Sequence, residues 1–329
     1  MKLITTILKK VAEEMGATVL IEPEYQSILH ITFKNGKITI FNYNQLNLNG
    51  TGSAKLAKDK GFSNYFLKQL GYQATEGKTF FNDSICKIIN NPRNIHDGWD
   101  YAQKLGLPVI VKPLNLSQGC LVAKVYNQSE YYVLAEKIFA IQDGLMIERF
   151  YSGNDFRILV LDQEIIAAYQ RIPLSITGDG KSTIIELLQQ KQENSIKITK
   201  KAVIDFQDFR IQQNLNRRNL SFDSVIEQDV VVYLLDNANL STGGEARDLT
   251  NQIHPDFQQL AINVTKDMGL RLAGVDILTT DITQPLLDYT LLEVNSSPGL
   301  SYYLSLGETQ AKRVEYLYRK VLQILENSE

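Results

Sequence analysis

Glu293 and Asn295 stand two residues apart in the segment TLLEVN, among Leu291, Leu292 and Val294. Side chains alternate between the faces of a strand, so that spacing puts both polar groups on one face and Leu292 and Val294 on the other. A second apolar segment, LAGVDILTT, carries Asp276. If the two segments pair as a hairpin centred near Gln284 and Pro285, Asp276 falls opposite Glu293. Two carboxylates and an amide oxygen then converge, a hard, oxygen-only set suited to Mg²⁺ held jointly with nucleotide phosphates. A lone acid would read as a solvated surface charge. Three such groups, flanked by apolar strand residues and closed by SSPG, read as a site. Lys112 is a second signal: the branched run PVIVKP carries it as its one cation, which would be costly to bury unpaired.

The elements that would position these groups alternate between helix and strand along the whole chain. The start, MKLITTILKKVAEEMG, places Ile4, Ile7, Leu8, Val11 and Met15 at helical spacing, and its charges interrupt any signal-peptide core. Two strands joined at Asn35-Gly36 follow, a dipeptide suited to a hairpin because both turn residues must tolerate positive φ. The pattern then predicts a helix from about Ser63 to Leu70, a helix over 94–105, the strand PVIVKP, strand LVAKVY, helix 129–140 and strand LMIERF. Residues 155–173 read as a long hairpin turning near Asp162 and Gln163, with a helix over 182–192 after it. The polar, charged stretch 193–222 reads as a mobile surface excursion. Strand VVVYLL, the glycine turn STGG, a helix from Pro255 to Met268, the two site strands and a closing helix over 308–326 complete an α+β enzyme of several small lobes.

Composition limits the partners. The 329 residues, 44% of them apolar, suffice for about two domains or one multi-lobed enzyme. Lys and Arg number 34 against 37 Asp and Glu, which excludes a general nucleic-acid binder but allows a local basic pocket. Cys86 and Cys120 cannot build a disulfide framework or a zinc cluster, and His30, His96 and His254 are too scattered for a histidine metal site. No apolar run reaches the roughly 18 residues that span a bilayer, so the expectation is a cytoplasmic protein with no membrane partner. The run GDGKST is not a P-loop, because Ser175 occupies the position five before Gly180 where that motif needs glycine; it reads as a turn capping the next helix. His254 before Pro255 reads as a helix start, and Trp99, Tyr101, Tyr302 and Tyr303 as packing, with an acceptor-pocket lining the alternative for Tyr302 and Tyr303.

Asp276, then Glu293 and Asn295 with SSPG directly after, resembles the metal-binding end of the ATP-grasp superfamily. Within it the resemblance is to the ATP-grasp part of cyanophycin synthetases and of bifunctional glutathione synthetases. NLSTGG (239–244), DLT (248–250), His254-Pro255, GVD (274–276) and TGDG (177–180) carry it, from about Asp59 to Leu300. The implied fold is two α+β lobes gripping ATP between antiparallel sheets. A short α/β segment at 1–55 would precede an ATP-grasp domain at 56–329, its central lobe at about 107–175.

The resemblance also assigns roles. Lys60 and Lys112 correspond to the lysines that reach the nucleotide, and Glu148 to the residue beside the adenine. The backbone of Arg149 and Phe150 would be the hinge reading the adenine edge, and Asp155 would hold the ribose hydroxyls. Arg157 and Arg171 would face the phosphates or a developing acyl phosphate. Ser241, Gly243 and Gly244 would lie near the phosphates and a carboxylate substrate, where glycines let backbone N–H groups approach an anion. Arg247 and Asp248 read equally as substrate contacts or surface polar groups. Gln118 and Gly119 belong to the phosphate-covering loop NLSQGCLV, which departs from the family in keeping one glycine.

The implied cofactors are ATP and Mg²⁺ (or Mn²⁺), and the implied reaction joins a carboxylate to an amine through an acyl phosphate, releasing ADP. The N-terminal part is short for a glutamate–cysteine ligase and no Mur-ligase-like half follows, so the expectation is a stand-alone amino-acid or peptide ligase. Alternatives are a ligase modifying a peptide or carrier-protein terminus, docked by 193–222, and an ATP-binding module that does not ligate. At the family level a homodimer is implied.

Overall fold

A computed structural model of the chain describes residues 3–199 and 204–328. Helix α1 (Leu3–Glu14) leads into a three-stranded sheet of β1 (Thr18–Ile21), β2 (Ile28–Thr32) and β3 (Ile38–Asn42). The Asn35-Gly36 turn joins β2 to β3 as expected, with Gly36 at φ +84°. Helices α2 (Thr51–Lys58) and α3 (Lys60–Gln69) come next. The central lobe runs β4 (Gly77–Phe81), α4 (Asp83–Ile88), α5 (Ile95–Leu105), β5 (Val109–Pro113), β6 (Ala123–Val125), α6 (Gln128–Phe139) and β7 (Gly144–Arg149), its strands ordered β4-β7-β5-β6.

The second large sheet has five strands in the order β12-β9-β8-β13-β14. These are β8 (Asn154–Leu161), β9 (Glu164–Ile172), β12 (Glu245–Asp248), β13 (Leu272–Thr279) and β14 (Thr290–Asn295). Between β9 and β12 lie β10 (Ser175–Thr177), α7 (Ile184–Thr199), α8 (Phe209–Asn216) and β11 (Val231–Tyr233), with β10 and β11 paired. Helix α9 (Pro255–Asp267) precedes β13, and α10 (Ser301–Leu304) and α11 (Glu308–Asn327) close the chain. Every strand pairing within the four sheets is antiparallel.

Four apolar clusters hold these parts. Ile4, Leu8 and Val11 of α1 share a core with Leu159, Leu161 and Tyr169 of β8 and β9 and with Val314, Leu317 and Val321 of α11. The N-terminal segment is thus packed on the back of the five-stranded sheet. On the opposite face of that sheet, Phe257, Ala261 and Val264 of α9 cover Ile158, Val160, Ala273 and Val275. The central lobe has its own core around Val109, Tyr131 and Ile147, and a fourth cluster joins α7, α8, β10 and β11.

Several elements differ from the expected ones. The helix expected from Ser63 starts at Lys60, because Asp59 caps it by accepting from Phe62 N–H at 3.0 Å. The helix expected over 182–192 runs on to Thr199, so α7 and α8 occupy much of the stretch expected as an excursion; residues 200–203 of that stretch lie outside the described residues. The GDGKST turn behaves as expected. Asp179 accepts from Lys181 N–H and Ser182 N–H at 2.9 and 2.7 Å, and Thr183 and Glu186 bond reciprocally at the start of α7.

Candidate active site

Pairing between β13 and β14 puts Asp276 opposite Glu293, as the hairpin count expects, with a register shift just after Asp276. Asn295 Nδ2 lies 3.2 Å from Glu293 Oε1 and 3.5 Å from Asp276 Oδ2, so the three side chains converge. Turning the Asn295 amide by half a rotation presents Oδ1 instead, completing a set of oxygen donors. Among the described residues no three His, Cys, Asp or Glu gather as a metal group. A divalent ion here would therefore rest on two carboxylates and an amide, with phosphate oxygens filling its remaining positions. The donor chemistry fits Mg²⁺.

Two arginines reach the same face from neighbouring strands. Asp276 pairs across the ladder with Arg157 of β8, and Asp155 of β8 with Arg171 of β9. Arg157 donates through Nε and Nη2 to the two oxygens of the fully buried Asp276, at 2.7 and 2.6 Å. Arg171 Nη2 is 2.8 Å from Asp276 Oδ2, and the same guanidinium holds both oxygens of Asp155 at 2.7–3.0 Å. Burial, with Asp276 adding to it, outweighs Arg171 and pushes the Asp155 carboxyl up to about 6. Glu293 goes the other way: burial would raise it, but Lys60, Lys112, Arg157 and Arg171 together hold it well below the usual carboxylate range.

On the central-lobe side, Lys112 of β5 meets Glu148 of β7 at 2.6 Å, both buried. Glu148 also accepts from Thr75 Oγ1 at 2.5 Å, and Asn64 Nδ2 donates to Thr75 Oγ1 at 2.9 Å. Thr75 is not among the residues the sequence marks for the site. It lies 73 residues from Glu148, and nothing in the local pattern singles it out. Lys60 opens α3 and stands between the two sheets, donating to Leu116 O at 2.7 Å with Glu293 Oε2 at 3.7 Å.

Other residues expected at the site have partners within the chain. Arg149 N–H, part of the expected hinge, donates to Glu76 O at 2.8 Å. The Arg149 side chain is likewise engaged, at 2.8 Å from Glu76 and 2.9 Å from Leu105 O, while the Phe150 ring lies under the Lys124 ammonium at 3.5 Å. Asp155, expected on ribose hydroxyls, has both oxygens on Arg171. Asp248 is an internal tie: Tyr303 OH, Gln310 Nε2 and Arg313 Nη1 all donate to its Oδ2, fastening α10 and α11 to β12.

Ser241 lies against the loop between β5 and β6, its Oγ donating to Gln118 O at 3.3 Å. Gly243 and Gly244 have a packing reason of their own. A Cβ on Gly243, at φ +93°, would lie 2.7 Å from Ile204 Cγ1, and one on Gly244 would lie 2.6 Å from Ile172 O. Gln118 and Gly119 take φ +61° and +66°, and Cys120 N–H bonds Ser117 O at 3.3 Å, a turn of the primed type I class.

Comparison with known proteins agrees with this arrangement. The model of the RimK-like ATP-grasp domain matches residues 187–314, and that of the D-ala D-ala ligase C-terminus matches residues 89–221. Cyanophycin synthetase of Trichormus variabilis is 31% identical over 265 residues, covering 78% of this chain and 28% of its own length. The glutathione biosynthesis bifunctional protein of Mannheimia succiniciproducens is 25% identical over 319 residues, covering 92% of this chain and 40% of its own. The chain therefore spans well under half the length of these relatives. The crystal structure of a bifunctional glutathione synthetase from Pasteurella multocida superposes on 97% of this chain and 44% of its own, with a TM-score of 0.59 at 23% identity, a likeness of fold. With its antiparallel sheets and the acids, lysines and arginines gathered between them, the chain belongs to the ATP-grasp superfamily.

Proposed function

We propose that the chain is an ADP-forming carboxylate–amine ligase acting on amino acids or small peptides. The observation that carries this reading is the meeting of Asp276, Glu293 and Asn295 with Arg157, Arg171 and Lys60 on one face. A substrate carboxylate oxygen attacks the γ-phosphorus of ATP, the bond to the β-phosphate bridging oxygen breaks, and ADP leaves. The amine then attacks the acyl carbon, phosphate departs, and the amine proton passes to phosphate or water. Arg157 and Arg171 offer fixed guanidinium donors to charge developing on the transferred group. Lys112 and Lys60 bracket the phosphates. A divalent ion on Asp276, Glu293 and Asn295 would neutralise phosphate charge and align the triphosphate. Positioning and charge stabilisation carry the chemistry, and no histidine base is required.

Helix α8 packs into two cores, which favours small free acceptors over a protein docked on 193–222. No helix among the described residues is long and apolar enough to cross a membrane, and together with the cysteine usage this supports a cytoplasmic enzyme. The test is nucleotide turnover with a panel of amino acids, reading ADP against AMP, with hydroxylamine added to trap an acyl phosphate. ADP with a trapped hydroxamate is expected. AMP, or no turnover with any carboxylate–amine pair, would overturn the reading, and binding without trapping would leave a non-ligating ATP module.

A further inference from the structure

The loop between β5 and β6 is held by its carbonyls. Lys60 Nζ takes Leu116 O at 2.7 Å, Ser241 Oγ takes Gln118 O at 3.3 Å, and Arg210 Nη1 takes both Gly119 O at 2.7 Å and Val122 O at 2.8 Å. Arg210 is buried, at 8% exposure, although it lies in the charged stretch expected on the surface. Its guanidinium plane is fixed from behind. Asp208, the N-cap of α8, accepts from Nε at 2.9 Å and from Nη2 at 2.5 Å.

Helix α8 is itself seated firmly enough to serve as an anchor. Phe209 packs against the central-lobe core, and Ile211 and Leu215 enter the cluster shared with α7. Arg217 pairs with Glu130 of α6 at 2.9 Å and lies 4.1 Å from the Tyr126 ring. Arg210 and Arg217 are two helical turns apart, so one face of α8 grips the central lobe at two points.

The loop needs such an anchor. Gln118 and Leu121 are not glycines, yet both hold positive φ, at +61° and +52°, a conformation that costs strain for residues with a Cβ. Among the described residues, the N–H groups of Ser117, Gln118, Gly119 and Leu121 make no hydrogen bond. Beside Gly119, neither polar atom of the Asn237 side chain finds a partner among the described residues, although both are shielded from solvent. Unspent N–H donors in the loop, beside a shielded Asn237 amide and next to carbonyls already tied elsewhere, are what an entering anion requires.

We propose that Arg210 is a positioning residue for the ATP triphosphate. By holding the carbonyls of Gly119 and Val122, it keeps their oxygens from an incoming phosphate and leaves the loop's N–H groups to meet it. The proposal rests on the nucleotide reading above. It makes the charged stretch around α8 part of the phosphate site.

The test compares full-length wild type with Arg210→Gln and Arg210→Lys. Two quantities are read: amide hydrogen exchange over residues 116–122, and affinity for Mg·AMPPNP and for AMP, by displacement of a fluorescent ATP analogue. For Arg210→Gln the expected result is roughly tenfold faster loop exchange and roughly tenfold weaker AMPPNP binding, with AMP affinity within about twofold of wild type. Arg210→Lys keeps a cation beside Asp208 and preserves the fold; one ammonium reaches the two carbonyls less well, so a smaller loss in the same direction is expected. Equal losses for AMPPNP and AMP, or unchanged AMPPNP affinity in both variants, would overturn the proposal. A wild-type chain that binds no nucleotide would instead overturn the reading on which it rests, and the role of Arg210 with it.

Discussion

Lys112 and Glu148 allow the structural and chemical roles of a buried ion pair to be separated. Their charged atoms are 2.6 Å apart, and the side chains are 8% and 3% exposed. At an effective dielectric of about 20, Coulomb attraction at that separation is about 6 kcal/mol, most of it offset by the cost of taking both ions out of water. Removing one partner leaves the other charged, buried and unpaired, which costs about 3–5 kcal/mol. Lys112→Met and Glu148→Gln should therefore each lower the melting temperature by roughly 5–15 °C. The amide oxygen introduced by Glu148→Gln can still accept from Thr75, so the double variant should recover most of that loss. On the proposed reading ADP release should not recover with it, because the lysine assigned to the phosphates is still missing. Melting curves and ADP release on all four proteins complete the cycle. A Lys112→Met protein melting within about 2 °C of wild type would refute the energetic argument. A double variant with wild-type ADP release would refute the catalytic one.

Glu293→Gln should reduce ADP formation roughly 10²–10³-fold with the fold intact, by circular dichroism; near-wild-type turnover would falsify the metal assignment. Chelating Mg²⁺ should weaken ATP binding at least about tenfold in calorimetry, and an unchanged affinity would count against the same set. Asp179 is held down to about 2 by its bonds from Ser182 and Lys181, so its stabilisation is complete above about pH 4 and lost as pH falls toward 2. The urea midpoint of Asp179→Asn should lie below that of wild type at pH 7, and the gap should close in acid; a gap independent of pH would contradict this. Asp248→Asn should cost about 1.5–3 kcal/mol by urea unfolding, because Arg313, Gln310 and Tyr303 lose a charged acceptor, and a change under about 0.5 kcal/mol would show α11 held by its apolar face alone.

What the sequence disclosed was local in origin. The Asp276–Glu293 register followed from counting outward from one turn, and the hairpin of β8 and β9 from the break at Asp162, which takes φ +52°. Helix α11 followed from its apolar spacing, whose Val314, Leu317 and Val321 are buried. Hidden features came from pairing at a distance. Arg157 meets Asp276 across 119 residues, and Arg210 meets Gly119 across 91. Strand β12, sequence EARD, has no apolar alternation because it is an edge strand paired only to β9. The last turns of α7, through KQENSIKIT, lack a broad apolar stripe and so read as loop in the sequence. The partners of Arg149 and Asp155 were the least legible, since no local pattern shows whether a backbone N–H or a carboxylate is already spent.

If the proposed site holds metal and nucleotide, its charges predict that the two bind as a unit. Asp155, Glu148, Asp276 and Glu293 face Lys60, Lys112, Arg157 and Arg171, four acids against four cations, each within ion-pair distance of an opposite charge. The assembly is neutral, so four cations crowd together without net repulsion. A bare triphosphate could draw the guanidiniums toward itself only by leaving Asp276 and Glu293 uncompensated in a buried place. A bare divalent ion could take those carboxylates only by facing Arg157 and Arg171 across a few ångströms. On the proposed reading, an ion and a triphosphate arriving together would take the carboxylates and the guanidiniums respectively, so each cost would cancel the other. The cations thus hold Glu293 ionised, Lys60 and Lys112 ahead of Arg157 and Arg171, and on the proposed reading an arriving phosphate would take the arginines over as partners.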